Sequence, residues 1–368
     1  MDSHVLLHRF ASLRNKFPNK ISLRAIYVNH GLSSKADDWA EHCCAICRDL
    51  DVEFIVKKIT IIKKKGHSLE AIARDLRYQV IADFLLDGEI LLTAHHANDQ
   101  AETVLLQLLR GAGVNGLAAM PGRKKFAHSY LLRPLLKFTR YELYSYAKEH
   151  NLCWIEDESN ENTGFERNFI RHEIFPKLLE RSTGLIDSIN RAAHHQQEAL
   201  GLLQELAFAD YEYIGDIQHG YRVLRIDELL KLNLPRRKNL IRYWLLSLEL
   251  PLPSSKKIQH IMHDVLLAKD DKNPLVSWSG AEVRRYRNHL YAMPPLNGEV
   301  ELPKNLDLPV GAVVRFRLPG DKINLPKRNL IYSLSKYFQE QGVPVWLRDR
   351  LPLICKDGLV IKVGDCVH

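Results

Sequence analysis

Over its first 110 residues the chain switches repeatedly between a helical and an extended hydrophobic period, and this alternation admits very few folds. Residues 2–16, 36–50, 68–86 and 99–110 carry apolar positions at helical spacing, while 23–28, 53–59 and 89–94 read as short strands. Strands separated by whole helices cannot pair as hairpins. They need crossover connections, which predicts a mostly parallel sheet with helices on both faces. Ligands of such sheets bind outside the carboxyl ends of the strands, at the strand-to-helix junctions.

The junction richest in chemistry runs from Thr93 to Pro121. His95 and His96 fill the loop between strand and helix. Asp99 and Glu102, three residues apart, share the helix's first-turn face, and Val104, Leu105, Leu108 and Leu109 form its apolar stripe. Arg110-Gly111-Ala112-Gly113 closes it with a basic, glycine-rich turn. Carboxylates placed this way can hold Mg²⁺, an amine or a polarised water, and a histidine beside them can contact phosphate or move a proton. The same Asp-x-x-Glu spacing also makes a capping box that favours the helix dipole. From the residues alone both readings stand. A structural zinc site is disfavoured because no cysteine joins the group.

The stretch resembles the tRNA(Ile)-lysidine synthetase family of PP-loop (N-type) ATP pyrophosphatases, with its A-H-x-x-[DN]-D-Q-x-E-T-x-L-L-x-x-x-R-G-x-G-x-x-G-L pattern. The resemblance covers nearly the whole chain. Val28-Asn29-His30-Gly31-Leu32 is similar to the family's second-strand motif, and Glu70-Ala71-Ile72-Ala73-Arg74-Asp75-Leu76-Arg77-Tyr78 to its E-A-x-A-R-x-x-R-Y helix. Leu132-Arg133-Pro134-Leu135 matches an R-P-L turn. Asp157-Glu158-Ser159-Asn160 and Arg167-Asn168-Phe169-Ile170-Arg171 match D-x-S-N and R-N-x-I-R. Gly342 to Arg350 resembles the V-P-x-W-x-R-D-R segment of the last domain. Two features depart from the pattern. Asn98 stands where many relatives carry aspartate, which removes a cation ligand. The family's ATP loop, S-G-G-x-D-S after a strand, is matched only at its end by Met1-Asp2-Ser3. The expectation is therefore a chain cut within that loop by a late start codon. Its sheet would lack a central first strand and be destabilised.

The resemblance implies a HUP-like catalytic domain at 1–185, a helical linker at 186–215, a mainly helical tRNA-binding domain at 216–295 and a small α+β tRNA-binding domain at 296–368. It implies a reaction in which ATP adenylates C2 of the anticodon-first cytidine of an isoleucine tRNA with a CAU anticodon. Pyrophosphate leaves, free lysine attacks C2, and AMP is expelled. It further implies that Asp2, Ser3 and His30 serve the nucleotide, with Arg110 and Gly111 beside them. His95 would contact phosphate. Asp99 and Glu102 would take Mg²⁺ or the incoming lysine, Asp99 being the metal ligand. Arg74, Arg77, Asn168 and Arg171 would line the substrate sites, although Arg74 and Arg77 also fit a surface pair flanking Ala73 and Leu76.

Charge and cysteine usage agree with this reading. The formal net charge of +8 suits a polyanionic partner. Arg236, Arg237, Lys238, Arg242, Lys256 and Lys257, then Arg284, Arg285 and Arg287 around Tyr286, form the expected tRNA surface. Cys43, Cys44, Cys47, Cys153, Cys355 and Cys366 are too scattered for a disulfide scaffold and suit a reducing cytoplasm. No long apolar run predicts a membrane span, and no leader is expected. A homodimer is compatible with the sequence. His194 and His195 read as solvated positions on the linker helix, and Lys63-Lys64-Lys65-Gly66 as an exposed loop. Two rival functions remain: a tRNA-binding remnant without catalysis, and a PP-loop 2-thiolase, which would need a reactive cysteine near the ATP site.

Overall fold

The computed structural model describes residues 1–368 apart from 32, 34, 62–68, 157–160, 270–271, 297–308, 326–329 and 365–368, and apart from the side chains of 69–71, 325 and 330. Leu32, Lys63-Lys64-Lys65-Gly66, Asp157-Glu158-Ser159-Asn160 and Cys366 therefore lie outside the described residues. The chain divides into two compact units, residues 1–201 and 202–368.

The first unit comprises α1 (Asp2–Lys16), β1 (Arg24–Asn29), α2 (Ala36–Asp49), β2 (Glu53–Lys58), α3 (Leu69–Phe84), β3 (Leu91–Leu92), α4 (Ala97–Leu109), α5 (Val114–Leu117), β4 (Arg123–Phe126), β5 (Ser129–Leu132), α6 (Arg140–Glu149), α7 (Glu166–Phe169) and α8 (Phe175–Leu179). α9 (Leu185–Ile214) begins here and crosses the division. α1 has an acid in its first turn and Arg14 and Lys16 in its last, matching the helix dipole, and its Val5 and Leu6 pack on Leu135, Leu143 and Ala147. Thr139 and Glu142 form the capping box that starts α6.

The single large parallel sheet expected from the alternation is not what forms. β1 and β2 pair in parallel as one small sheet. β3 pairs in parallel with β5, and β5 antiparallel with β4, as another. A continuous sheet needs a strand bonded to both β1 and β3, and none of the described residues forms one. The two sheets are instead tied by side chains, since Arg24 of β1 donates to the Glu89 carboxylate and to the Phe84 carbonyl. The Glu89 carbonyl accepts the Ser129 hydroxyl, so the strand predicted at 89–94 contracts to its central pair.

The second unit contains β6 (Gly215–Gln218), β7 (Tyr221–Arg225), α10 (Ile226–Lys231), α11 (Leu234–Ser247), α12 (Ser255–His260), β8 (Leu275–Trp278), β9 (Ala281–Tyr286) and β10 (His289–Met293). The strands form one antiparallel sheet in the order β6-β7-β10-β9-β8. This region is thus α+β and not mainly helical. The core explains the difference: Trp244, Leu240, Ile241 and Leu245 of α11 are fully buried against Leu224, Val283 and Leu290 of the sheet. The Trp244 indole N–H donates to the Arg222 carbonyl at 3.0 Å. The last part holds β11 (Val313–Arg315), β12 (Lys322–Leu325), β13 (Leu330–Ser333), α13 (Leu334–Glu340), α14 (Val345–Arg348), β14 (Leu353–Lys356) and β15 (Leu359–Val363). Its sheet order is β11-β14-β15-β12-β13, and its core is built around Phe338, Leu334, Leu347 and Leu353. Among the described residues no helix is long and apolar enough to cross a membrane.

Candidate active site

The site grows from the start of α4. His96, in extended backbone, is its N-cap: the imidazole Nδ1 accepts from the Asp99 N–H at 3.4 Å, and the Asp99 carboxylate accepts from the His96 N–H at 3.1 Å. A capping box therefore exists, but its members are His96 and Asp99. The Asp99/Glu102 pairing read from the sequence is displaced by one turn, and Glu102 is left for other work. Asn98 accepts the Arg140 N–H at 2.9 Å, and Gln100 brackets Met120 through two backbone bonds of 3.0 Å. These ties fix the rotation of the helix.

Ala97 and Ala101 are buried beside Ile170 and Phe175, and their small side chains let α7 come close. α7 continues through a π turn at Ile170–Ile174 into α8, a distortion that often accompanies functional sites. Arg167 and Arg171, four residues apart, share one face. Arg167 Nε meets Glu102 at 2.8 Å, and Arg171 Nε meets the other Glu102 oxygen at 2.7 Å. Both guanidinium groups also reach Asp99, at 3.4 and 3.2 Å. Glu102 is 2 % exposed with both oxygens taken. Burial draws the Arg171 pKa down, but the pairing with Glu102 and Asp99 outweighs it and the group moves upward. Asp2 approaches from α1, its carboxylate 3.9 Å from His96 Nε2, and its Oδ1 is buried without a protein partner.

His95 stands next to this cluster. Its Nδ1 lies 2.9 Å from the Thr93 hydroxyl. Burial lowers its pKa to about 4; Asp99 pulls the other way, and Arg133, Arg74 and Arg167 add to the depression. Burial thus keeps the imidazole neutral at pH 7, with three guanidinium groups and the Asp99 carboxylate nearby. His30 accepts from Arg77 at 2.9 Å, and burial together with that guanidinium lowers its pKa too. Arg133 donates to the Pro121 carbonyl at 2.7 Å.

The structure thus gathers Asp2, His95, Asp99, Glu102 and Arg171, with Arg74 close enough to act on His95 and His30 paired with Arg77. Other expected residues sit elsewhere. Ser3 is exposed on α1. Arg110 and Gly111 close the far end of α4, about 16 Å from Asp99 along the axis at 1.5 Å per residue. There Arg110 pairs with Glu166 at 2.7 Å, at the edge of an apolar cavity of about 370 Å³ walled by Leu106, Leu109, Phe169 and Ile170. The Asn168 amide donates to the Asn162 carbonyl at 3.0 Å. Arg167 and Arg133 stand in motifs of the sequence that carry no site role for them. The four-residue spacing of Arg167 and Arg171 against the three-residue spacing of Asp99 and Glu102 was the available signal, since two charged faces of opposite sign suit each other.

Comparison with known proteins follows the same division of the chain. Residues 1–178 match the family model for a PP-loop domain, 224–291 that for the TilS substrate binding domain, and 312–367 that for the TilS substrate C-terminal domain. A tRNA(Ile)-lysidine synthase of Coxiella burnetii is 40% identical, covering 100% of this chain and 87% of that protein. Proteins of the same description from Histophilus somni and Legionella pneumophila are each 39% identical, over 96% and 100% of this chain and 90% and 89% of their own lengths.

Proposed function

The chain belongs to the tRNA(Ile)-lysidine synthase family, and from that premise we propose that it joins free lysine to C2 of the anticodon-first cytidine of an isoleucine tRNA with a CAU anticodon, in the cytoplasm. ATP supplies the activation, by adenylating the C2 oxygen and releasing pyrophosphate. The observation that carries this reading is the carboxylate–guanidinium cluster beside a neutral His95 at the carboxyl end of β3.

The residues present fit the groups the reaction needs. The guanidinium groups of Arg74, Arg133 and Arg167 near His95 suit a triphosphate, and the imidazole, kept neutral chiefly by burial, can still donate from Nε2 when Nδ1 accepts from Thr93. The unpartnered buried Oδ1 of Asp2 suits Mg²⁺, with Asp99 the second carboxylate at hand. Asp99 keeps a side chain 15% exposed against 3% for Glu102, which leaves Asp99 the more accessible of the two to Mg²⁺ or the lysine amine. Glu102 holds the two arginines in place. The lysine amine must lose a proton from an ordinary pKa near 10.4, and the burial that depresses His95, with the arginines adding to it, disfavours its ammonium form.

The thiolase alternative needs a reactive thiol among Cys153 and the Cys43, Cys44 and Cys47 group. Burial pushes the Cys47 thiol up to about 11 and raises Cys43 as well, which makes both poor nucleophiles and leaves that reading to Cys44 and the exposed Cys153. Catalysis and the tRNA-binding remnant are separated by one assay. Radiolabelled lysine, ATP and isoleucine tRNA with a CAU anticodon should give AMP and lysine incorporation in equal amounts, and a UAU transcript should give neither. Tight tRNA binding with no AMP would mean a remnant. AMP release without incorporated lysine would mean another nucleophile.

A division of labour also follows. The sequence places the end of the catalytic domain near Leu185, yet Asn190 and Gln197 of α9 donate to the Ala97 and Ala118 carbonyls at 3.1 and 2.8 Å. A chain ending at Gly201 should keep its ATP affinity and lose most of its tRNA affinity. A chain ending at Leu185 should lose thermal stability too, through exposure of its Ile186 and Ala193 contacts. Equal loss of ATP and tRNA binding in the Gly201 variant would refute the division.

A further inference from the structure

The regions matched by the two substrate-domain models meet at one joint within the second unit, and its centre is Trp346 of α14. The indole stands edge-on to two tyrosines of the neighbouring sheet: Tyr286 of β9 at 6.0 Å and 85°, and Tyr291 of β10 at 5.6 Å and 80°. The Arg284 guanidinium lies 5.2 Å from the same ring and is steadied by Glu282 at 2.7 Å. Around this stack, Arg348 donates to the Tyr286 hydroxyl at 3.2 Å and to the Val343 carbonyl at 3.0 Å. His219, in the β6–β7 turn, donates to the Gly342 carbonyl at 3.0 Å, and Arg287 donates to the Gln339 carbonyl. Gly342 has φ +68°, where a side chain would be strained, and a Cβ there would press on Arg287 Nη1 at 3.0 Å. The Trp346 Nε1 is buried without an acceptor. A buried unpaired donor costs stability, and the ring offsets that cost by packing against the cores of both modules at once.

We infer that Trp346 is a positioning residue: it locks the two substrate-binding modules into one rigid body, so that their RNA-contact surfaces are held at a fixed separation. This rests on the reading above, in which both modules touch tRNA. It also reassigns Arg284 and Arg287, which the sequence placed on the RNA surface, to the joint. Two contacts held at the right separation bind a spanning ligand far more tightly than either alone, and a loosened link loses part of that gain.

The test measures affinity for full-length isoleucine tRNA, for its anticodon stem-loop and for its acceptor-stem minihelix, in the wild-type chain, Trp346→Ala and Trp346→Phe. The wild type should bind the full tRNA roughly 100-fold more tightly than either fragment. Trp346→Ala should lose about tenfold on the full tRNA and nothing on the fragments. Trp346→Phe keeps the ring, drops the unpaired N–H, and should behave as wild type. If Trp346→Ala does not fold, Tyr286→Phe, which removes only the hydroxyl taken by Arg348, gives the same comparison with a smaller loss. Undiminished affinity of these loosened variants for the full tRNA would overturn the joint. A wild type that binds the full tRNA no more tightly than a fragment would overturn the two-module reading itself, and the joint with it.

Discussion

Glu102→Ala should abolish lysine transfer and destabilise the first unit by about 3–5 kcal/mol, the cost of removing one partner from a buried ion pair. Glu102 is the common acceptor for Arg167 and Arg171, so its loss leaves two guanidinium groups facing one remaining carboxylate, Asp99. Like charges brought together in a half-buried site repel, and the π turn that carries Arg171 must shift to separate them. In a unit of this size the loss corresponds to a melting temperature lower by roughly 10 °C. Calorimetry measures the stability and AMP release measures the activity. A companion variant separates the two effects. Glu102→Met with Arg171→Met replaces the pair by apolar groups of similar length and leaves Arg167 with Asp99, so much of the stability should return. Activity should not, if the cluster serves the chemistry. A double variant that regains both would reduce the cluster to a structural brace.

Acidification from pH 6.5 to 4 should cost about 3 kcal/mol of stability through His95 alone. The imidazole titrates near 4 in the folded protein against an ordinary 6.5, chiefly because it is buried; Asp99 pulls the other way, and Arg133, Arg74 and Arg167 add to the depression. Between those values the unfolded chain binds more protons than the folded one, so stability rises with pH across that window and is lost as pH falls through it. The amount follows from the shift at about 1.4 kcal/mol per unit. His4, His8 and His30 are also lowered, mainly by burial, and steepen the same slope. Urea denaturation between pH 4.5 and 7.5 should therefore show a clearly flatter profile for His95→Gln than for the wild type. Parallel profiles would mean that His95 is already neutral, or freely titrating, in both states. The same shift predicts that no step in activity between pH 5 and 8 belongs to His95.

Much of the first unit could be read in advance because its helices are marked at their ends. α1 has an acidic start, a basic finish and an apolar face, and it forms over the expected residues. The capping box of α4 was misplaced by a turn because histidine is not a customary N-cap. Only the extended backbone at His96 shows that its ring does that work. The ion cluster was half visible: the acids were marked by their helix start and Arg171 by its motif, but nothing local says that a helix some 65 residues later will face them. Strand pairing was the least legible. Short strands such as Leu91–Leu92 encode no register, and Arg284, Arg285 and Arg287, expected on a tRNA surface in a mainly helical domain, occupy a strand and its turn.

The π turn at Ile170–Ile174 has a consequence for how this protein can vary over evolutionary time. It advances the helix by a fraction of a turn between Arg171, which must face α4, and Phe175, which must face the core. Side chains on its outer face are free to drift. Its length is constrained in an uneven way: one residue lost within the π turn would restore ordinary helical winding and leave Phe175 and Leu179 nearly in register, whereas one lost from the helix on either side would swing them by about 100°. Divergence here is expected to accumulate as substitutions and, at the π turn itself, as the gain or loss of a single residue, with other insertions and deletions pushed into the loops on either side.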